Sequence, residues 1–267
     1  MFFKSCVCYI GMIMMANSWN EFYMENHYIQ KYKEYIAFLR ENSDDLLDND
    51  NWDSLFKVLP LLKLSDEYTL DDYRSKKSTD NILRLYARKV ETKRPAETEF
   101  EKIDFGNFVQ RWLKAVLAEN EDAENTTAKL PERIEPESVV TLDFTPEAIW
   151  EAYLLKTTDY YIGQRWHGCY HVMTIPANVG ELKKFKPWRD DEMPEYEKFI
   201  EAMSRYDFAP KITIDGDAAT IEHIAVFFHN RFSLCSATAH YNKETCKIEN
   251  WKFDDTTMFK FEAHFCY

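Results

Sequence analysis

The 267-residue chain is short of glycine, with only 6, and its 6 cysteines form no CxxC pair. Scarce glycine argues against the loops that cradle phosphates and against the tight turns of parallel α/β folds. The scattered cysteines predict neither a zinc ribbon nor a disulfide framework. We therefore expect a cytoplasmic location for the protein and reduced thiols at all six cysteines, which are Cys6, Cys8, Cys169, Cys235, Cys246 and Cys266.

Positive charge is also in short supply, since 33 Lys and Arg face 46 Asp and Glu, for a formal net charge of −13. Anionic phosphates would be repelled on average, which excludes nucleic acid and anionic membranes as first expectations. A well-solvated surface is the simpler explanation of this charge, and an acidic face for a basic partner is the alternative. No GxSxG elbow, HExxH pair or EF-hand motif is present. No motif therefore names a catalytic activity or a cofactor.

Aromatic residues are plentiful at 16% of the chain, within a hydrophobic content of 45%. This content predicts a real core, and aromatic side chains also line apolar pockets and recognition surfaces. Residues 1–16 are harder to interpret. Lys4 precedes an apolar stretch that resembles part of a signal peptide but is too short to span a bilayer, which needs about 20 residues. An over-extended start or a buried strand is favoured over secretion.

The first half of the chain has the apolar spacing of helices. A capping box at Ser18 to Glu21 predicts a helix to about Arg40. Further helices are predicted from Trp52 to Leu59 and from a cap at Thr79, with Ile82, Leu85, Tyr86 and Val90 on its apolar face. The strongest amphipathic pattern runs from Phe105 to Leu117. We therefore expect a helical region over 17–120 and an acidic, proline-containing linker over 121–138.

The second half, 139–267, predicts an α+β domain. A strand at Val139–Phe144 precedes a helix that begins with Thr145 and Pro146, and another helix opens at Pro194. The segment from Tyr160 to Ile175 is expected to be extended. After Pro210 the alternation predicts a five-stranded antiparallel meander, whose last strand is Met258–Tyr267. Its turns are expected at Asp215–Gly216, near Asn230, at Asn242–Thr245 and at Asp254–Thr257.

Two stretches of this meander resemble a known family. The segment from Ile212 to Ile221 (ITIDGDAATI) looks like the strand–turn–strand phrase of the nuclear-transport-factor-like superfamily, which includes the SnoaL-like proteins. The segment from Lys247 to Asp254 (KIENWKFD) is similar to the strand that follows. The resemblance implies a curved antiparallel sheet that wraps helices around a cavity. It names no activity, because the family hosts isomerases, dehydratases, binding modules and dimerisation modules.

The densest cluster of reactive side chains contains His167, Cys169 and His171, which share one face if the segment is a strand. Two His at this spacing can hold a metal ion with further ligands, for which His229, His240 and His264 are available. Cys169 as a nucleophile is the other chemical hypothesis, although its neighbours lie about 6–7 Å away on a regular strand. Satisfied structural histidines remain the simpler explanation, and no metal is predicted.

A second set of candidates lies in the meander. His223 and His229 share strand parity with apolar residues, so a histidine on a concave wall would be placed to move a proton on a bound ligand. The alternative is a core histidine bonded to the backbone. The complete set of ligand-binding candidates is His167, Cys169, His171, His223, His229, His240 and Trp251.

Three functions stay open on this basis. The first is a non-enzymatic intracellular protein that binds a protein or a small apolar ligand, with an immunity-type protein against a basic toxin as one version. The second is a SnoaL-like enzyme that isomerises or dehydrates a ligand in an aromatic-lined pocket. The third is a dimerisation module that uses an open sheet face. A buried pair of a histidine and a carboxylate in a deep pocket would favour the enzyme.

Overall fold

The computed structural model describes residues 27–44, 52–74, 83–93, 134–158, 161 and 173–262. In these ranges the helices are α1 (His27–Asp44), α2 (Pro146–Lys156), α3 (Val179–Leu182) and α4 (Met193–Met203), with short 3-10 helices at Trp52–Lys57 and Pro136–Val139. The early strands are β1 (Leu62–Leu64), β2 (Tyr68–Arg74), β3 (Leu83–Lys89) and β4 (Val140–Leu142). The later strands are β5 (Met173–Thr174), β6 (Lys211–Asp215), β7 (Ala218–Phe227), β8 (Arg231–Asn242) and β9 (Lys247–Lys260). The α+β class and a helix before a C-terminal antiparallel sheet are confirmed.

Strand β7 is central in the C-terminal sheet. Its whole length pairs with β8, from Ala218 opposite His240 to Phe227 opposite Arg231, and β8 pairs in turn with β9. The other edge of β7 is shared, because β6 pairs with its first half and β5 with its last two residues. All these pairings are antiparallel. The predicted hairpin at Asp215–Gly216 and the predicted turn at Asn242–Thr245 are confirmed.

The predicted turn at Asp254–Thr257 is wrong, because these residues lie inside β9. Asp254 pairs with Ser236 and Thr257 with Ser233, and Met258 is the extra residue of a bulge between two paired positions. The polar residues imitate a turn, but β9 is the outermost strand and its side chains here are exposed, so polar residues suit it. The fifth strand of the sheet is therefore β5, rather than Met258–Tyr267.

The predicted helix after Thr79 is also wrong in its described part. Residues 83–89 form β3, which pairs antiparallel with β2, with Leu85 opposite Asp72 and Ala87 opposite Leu70. Leu85 and Ala87 are 1% and 2% exposed, which is a period of two on one face. Val90, placed on the apolar face of the predicted helix, is 60% exposed. Cross-strand pairing thus overrides a weak helical spacing.

Helix α2 begins as the sequence predicts. The Thr145 hydroxyl accepts a hydrogen bond from the Ala148 backbone N–H at 3.3 Å, and Pro146 occupies the first turn, where it loses no helical hydrogen bond. Residues Ala148 to Leu155 are all buried. Burial of this whole run means that other parts of the protein surround α2 on every side. The predicted helix at Pro194 is likewise confirmed as α4, whereas the capping box at Ser18 and the Phe105–Leu117 helix lie outside the described residues.

One hydrophobic core joins residues from both predicted regions. It includes Tyr35 and Trp52 from the first region and Ile149 and Ile221 from the second, each fully buried or nearly so. Strand β1 pairs with β4, and Leu142 of β4 donates its N–H to the Cys246 carbonyl beside β9. A second core lies where α3 and α4 pack on the sheet. Most of the predicted linker lies outside the described residues, so that boundary stays a prediction.

Among the described residues, none of the helices combines the length and the apolar character that crossing a bilayer requires.

Candidate functional site

A groove of about 930 Å³ lies where α1, α2, the turn at Pro60–Leu61 and the segment Ala177–Asn178 come together. Its described lining includes both signs of charge and several apolar side chains. Those that matter for its chemistry are Tyr28, Lys31, Glu34, Leu61, Glu147 and Glu151. Cavities that hold small molecules span roughly 300–1,000 Å³, so the groove is large enough for one.

Two pairs of polar side chains connect α1 to α2 along the groove. His27 Nε2 lies 3.6 Å from a Glu147 oxygen, and Lys31 Nζ lies 3.8 Å from a Glu151 oxygen. Residues four apart share a helix face, so both pairs lie on the faces that the helices turn toward each other. Between the two pairs, the Trp150 indole N–H donates to the Tyr28 carbonyl at 2.8 Å. These contacts fix the relative position of the two helices.

Glu151 is the buried carboxylate of the groove, with only 2% of the residue exposed. It accepts a hydrogen bond from the Leu61 backbone N–H at 2.8 Å and faces Lys31, whose ammonium also donates to the Val58 carbonyl at 3.0 Å. Burial raises the pKa of Glu151 to about 6, although the Leu61 N–H and Lys31 oppose the rise. The carboxyl therefore holds the Val58–Leu61 turn and changes protonation state near neutral pH.

The rest of the groove offers apolar surface and hydrogen-bonding groups. Burial and the nearby Glu147 carboxylate raise the pKa of Tyr28 to about 12, so its phenol stays neutral and can both donate and accept a hydrogen bond. Leu61 is 42% exposed and Pro60 is also exposed. An apolar surface that is ringed by fixed polar groups is the usual composition of a ligand site.

His223 lies behind the groove, in the middle of β7, and is 3% exposed. Its Nδ1–H donates to the Ile224 carbonyl at 3.0 Å, because a carbonyl can only accept. The other ring nitrogen, Nε2, is then the acceptor for the Tyr153 hydroxyl, 2.6 Å away. Burial lowers the pKa of His223 to about 4, so the ring is neutral at physiological pH. His223 is thus a satisfied core histidine.

The structure brings two of the predicted site residues, His223 and Trp251, around one phenol. The Tyr153 ring lies 5.3 Å from the His223 ring and 6.2 Å from the Trp251 ring. Tyr153 also stacks on Trp150 at 5.4 Å, and Trp150 lines the groove. This aromatic cluster therefore supports the groove from behind, and neither His223 nor Trp251 is among the described residues that line it.

His229 and His240 lie elsewhere on the sheet. His229 is exposed in the turn between β7 and β8, with its ring 5.4 Å from Phe185 and its pKa lowered by partial desolvation. His240 is exposed and pairs with Ala218, five residues from His223 along β7, which corresponds to about 16 Å. The structure thus does not assemble these three histidines into one acid–base site.

The cluster of His167, Cys169 and His171 lies outside the described residues, as does His264. Within the described ranges, no three His, Cys, Asp or Glu side chains are grouped so that they would hold a metal ion. The metal and nucleophile hypotheses for that cluster therefore stay predictions.

Sequence reasoning missed the residues that build the groove. Glu151 stands in an otherwise apolar stretch, Ile149–Leu155, where a carboxylate is costly unless a partner satisfies it. A charged residue at Glu151, within this apolar stretch, is the sequence signal that could have identified the site. Its partners Lys31 and Leu61 were not predictable, because they are about 120 and 90 residues away in the chain.

Comparison of the chain with protein-family models, with curated proteins and with solved structures found no match in any of the three. The resemblance of Ile212–Ile221 and Lys247–Asp254 to the nuclear-transport-factor-like superfamily accordingly stays a prediction.

Proposed function

We propose that this protein binds a small amphipathic molecule in the groove between α1 and α2 and releases it unchanged. The observation that carries the proposal is the groove itself, with about 930 Å³ of space, an apolar wall at Leu61 and carboxylates and ammonium groups along its length. A ligand with an aromatic or aliphatic body and a polar end would match both parts of this lining.

The charged groups of the groove suit binding because most already have partners. Lys31 contacts Glu34 at 3.5 Å as well as the Val58 carbonyl, and Lys33 contacts Glu181 at 2.9 Å. Such groups are held in place before a ligand arrives, which lowers the entropy cost of binding. They orient a polar end of the ligand, while the apolar surface of Leu61 and Pro60 supplies contact area.

The groove can be tested with anilinonaphthalene sulfonate, a fluorescent probe with an aromatic body and one anionic group. We expect the protein to bind one probe molecule saturably, as measured by the rise in probe fluorescence. Leu61→Glu places a charge on the apolar wall and should weaken binding about tenfold, which corresponds to roughly 1.4 kcal/mol. The matched control is Val90→Glu, since Val90 is an exposed apolar residue outside the described lining.

Equal weakening by the two substitutions, or binding that never saturates, would contradict the proposal, because the probe would then report general surface. Native mass spectrometry of protein isolated from its source then identifies the natural ligand. A mass that is present in the wild type and lost in Leu61→Glu, but kept in Val90→Glu, is the expected result.

One observation favours a second candidate function, acid–base catalysis by Glu151. Its pKa of about 6 allows the carboxyl to take up and release a proton near neutral pH, as a general base must. Conversion of the co-purified ligand, followed by mass spectrometry, would then fall as the pH drops below about 6. Glu151→Gln should abolish conversion and keep binding. A ligand that the wild type leaves unchanged at every pH would exclude catalysis.

A further inference from the structure

The segment between α3 and α4 exposes a bare indole. Trp188 is 75% exposed, which is the largest exposure among the described large hydrophobic residues. Tryptophan is enriched in interfaces and is a frequent hot spot there, because it buries a large rigid area. Most of the described aromatic side chains are buried or half-buried, so the exposed indole of Trp188 suggests a surface that another molecule covers.

This segment is fixed in place. Leu182 before it is fully buried, and Pro187 next to the indole is buried as well. The guanidinium of Arg189 donates to both Asp191 oxygens, at 2.9 Å and 2.6 Å, and to Glu262 at 2.9 Å. These anchors on both sides of Trp188 mean that the indole is presented from a rigid base, so covering it costs little ordering entropy.

Charge is arranged symmetrically about Trp188 in the chain. Lys186 and Lys184 lie two and four residues before it, and Asp190 and Glu192 lie two and four residues after it. Lys186 and Asp190 are exposed, and in the described part of the chain neither forms a salt bridge. Arg189 interrupts this symmetry, but its guanidinium is already paired with Asp191 and Glu262. The remaining pattern of basic residues, indole and acidic residues complements itself when the direction of the segment is reversed.

We propose that this surface docks a second copy of the same chain, with a two-fold axis near Trp188. In a two-fold interface, if residue i contacts residue j of the partner, then j also contacts i. Reversal about Trp188 places Lys186 against Asp190 of the second copy, and Asp190 against Lys186. The two indoles then bury each other at the axis, between the two charge pairs.

A second copy fits this surface better than other occupants. An anionic membrane or nucleic acid would meet the lysines but also the acidic residues next to them, on a chain of net charge −13. A purely basic partner would meet the opposite mismatch. Because the proposed contact is confined to one short segment, we expect weak self-association, with a Kd on the order of 100 µM. This inference is independent of the groove.

Sedimentation velocity from about 5 to about 500 µM tests the proposal. We expect a concentration-dependent shift from monomer to dimer for the full chain. Trp188→Ala should remove the shift, and Val90→Ala, the control at another exposed apolar residue, should keep it. Lys186→Glu and Asp190→Lys should each weaken dimerisation about tenfold or more, because each places like charges together at two positions.

The decisive measurement is an equimolar mixture of Lys186→Glu and Asp190→Lys. In a mixed dimer one position pairs the two new residues and the other pairs the two original ones, so both pairs are attractive. The mixture should therefore dimerise as the wild type does, although neither variant does so alone. A wild type that is monomeric at about 500 µM, a dimer that survives Trp188→Ala, or a mixture without recovery would each overturn the proposal.

Discussion

At the scale of single residues, the buried His223 matters most for how stability depends on pH. The ordinary pKa of a histidine is 6.5, and burial lowers that of His223 to about 4 in the folded protein. Between these two values the unfolded chain binds more protons at this site than the folded one does. Its contribution to stability is therefore complete above about pH 6.5 and is lost as the pH falls toward 4.

We predict that His223→Gln flattens this dependence. Glutamine does not titrate and still has a group that can meet the Tyr153 hydroxyl. Between about pH 7.5 and about pH 5, the wild type should lose roughly 2 kcal/mol more unfolding free energy than the variant. Urea unfolding followed by circular dichroism at both pH values measures this difference.

Glu151 acts in the opposite direction, because its raised pKa makes the folded state bind more protons between about 4.5 and 6. It is present in both proteins and cancels from the comparison. Parallel curves of unfolding free energy against pH for the wild type and His223→Gln would show that His223 is not held neutral in the fold.

At the scale of elements, two tight hairpins on β7 contrast in their backbone chemistry. The β6–β7 turn places Gly216 at φ 64°, a conformation that glycine adopts freely. The β7–β8 turn places Phe228 at φ 49° and His229 at φ 65°, where side chains are disfavoured. The second turn is therefore strained, and the ring contact of His229 with Phe185 offsets part of that strain.

This contrast gives opposite predictions for matched substitutions. Gly216→Ala should lower the unfolding free energy by about 1 kcal/mol, and only through backbone strain, because a Cβ there meets nothing within 4 Å. His229→Gly should raise the unfolding free energy by up to about 1 kcal/mol, because glycine relieves the strain. Denaturant unfolding of both variants provides the test. If both substitutions destabilise the protein equally, strain is not what separates the two turns.

The same scale shows why some elements are readable in sequence and others are not. Helix α2 is read from Thr145 and Pro146, because a cap and a first-turn proline act within a few residues. Strand β3 is misread because its partner β2 decides its conformation. The uninterrupted run of β9 through Asp254–Thr257 depends on β8 in the same way, since a paired edge strand tolerates polar residues that elsewhere would turn the chain.

At the scale of the whole molecule, the first and second halves of the chain share one core. Trp52 and Tyr35 are fully buried in the cluster that contains Ile149 and Ile221. Strand β1 also completes its backbone hydrogen bonds only through β4. The C-terminal part alone would expose this apolar area and leave backbone groups of β4 without partners.

We predict that residues 134–267, expressed alone, do not fold cooperatively. Heating should give a gradual change in circular dichroism instead of a sharp transition, and the amide spectrum should be poorly dispersed. The full chain under the same conditions is the control. A sharp transition for the fragment would show that the predicted boundary at 121–138 separates an independent domain.

By itself the sequence determined the α+β class, the starts of α2 and α4, and the strands from β6 to β8, because each depends on residues close together in the chain. Two further signals in the sequence, the charge of Glu151 within an apolar helix and the indole of Trp188 between charged runs, did not enter the predictions. Only the tertiary structure decided that Glu151 faces a groove with Lys31 and Leu61, that His223 is hydrogen-bonded to Tyr153, and that Trp188 is exposed. Those facts depend on which distant surfaces meet, and periodicity carries no information about that.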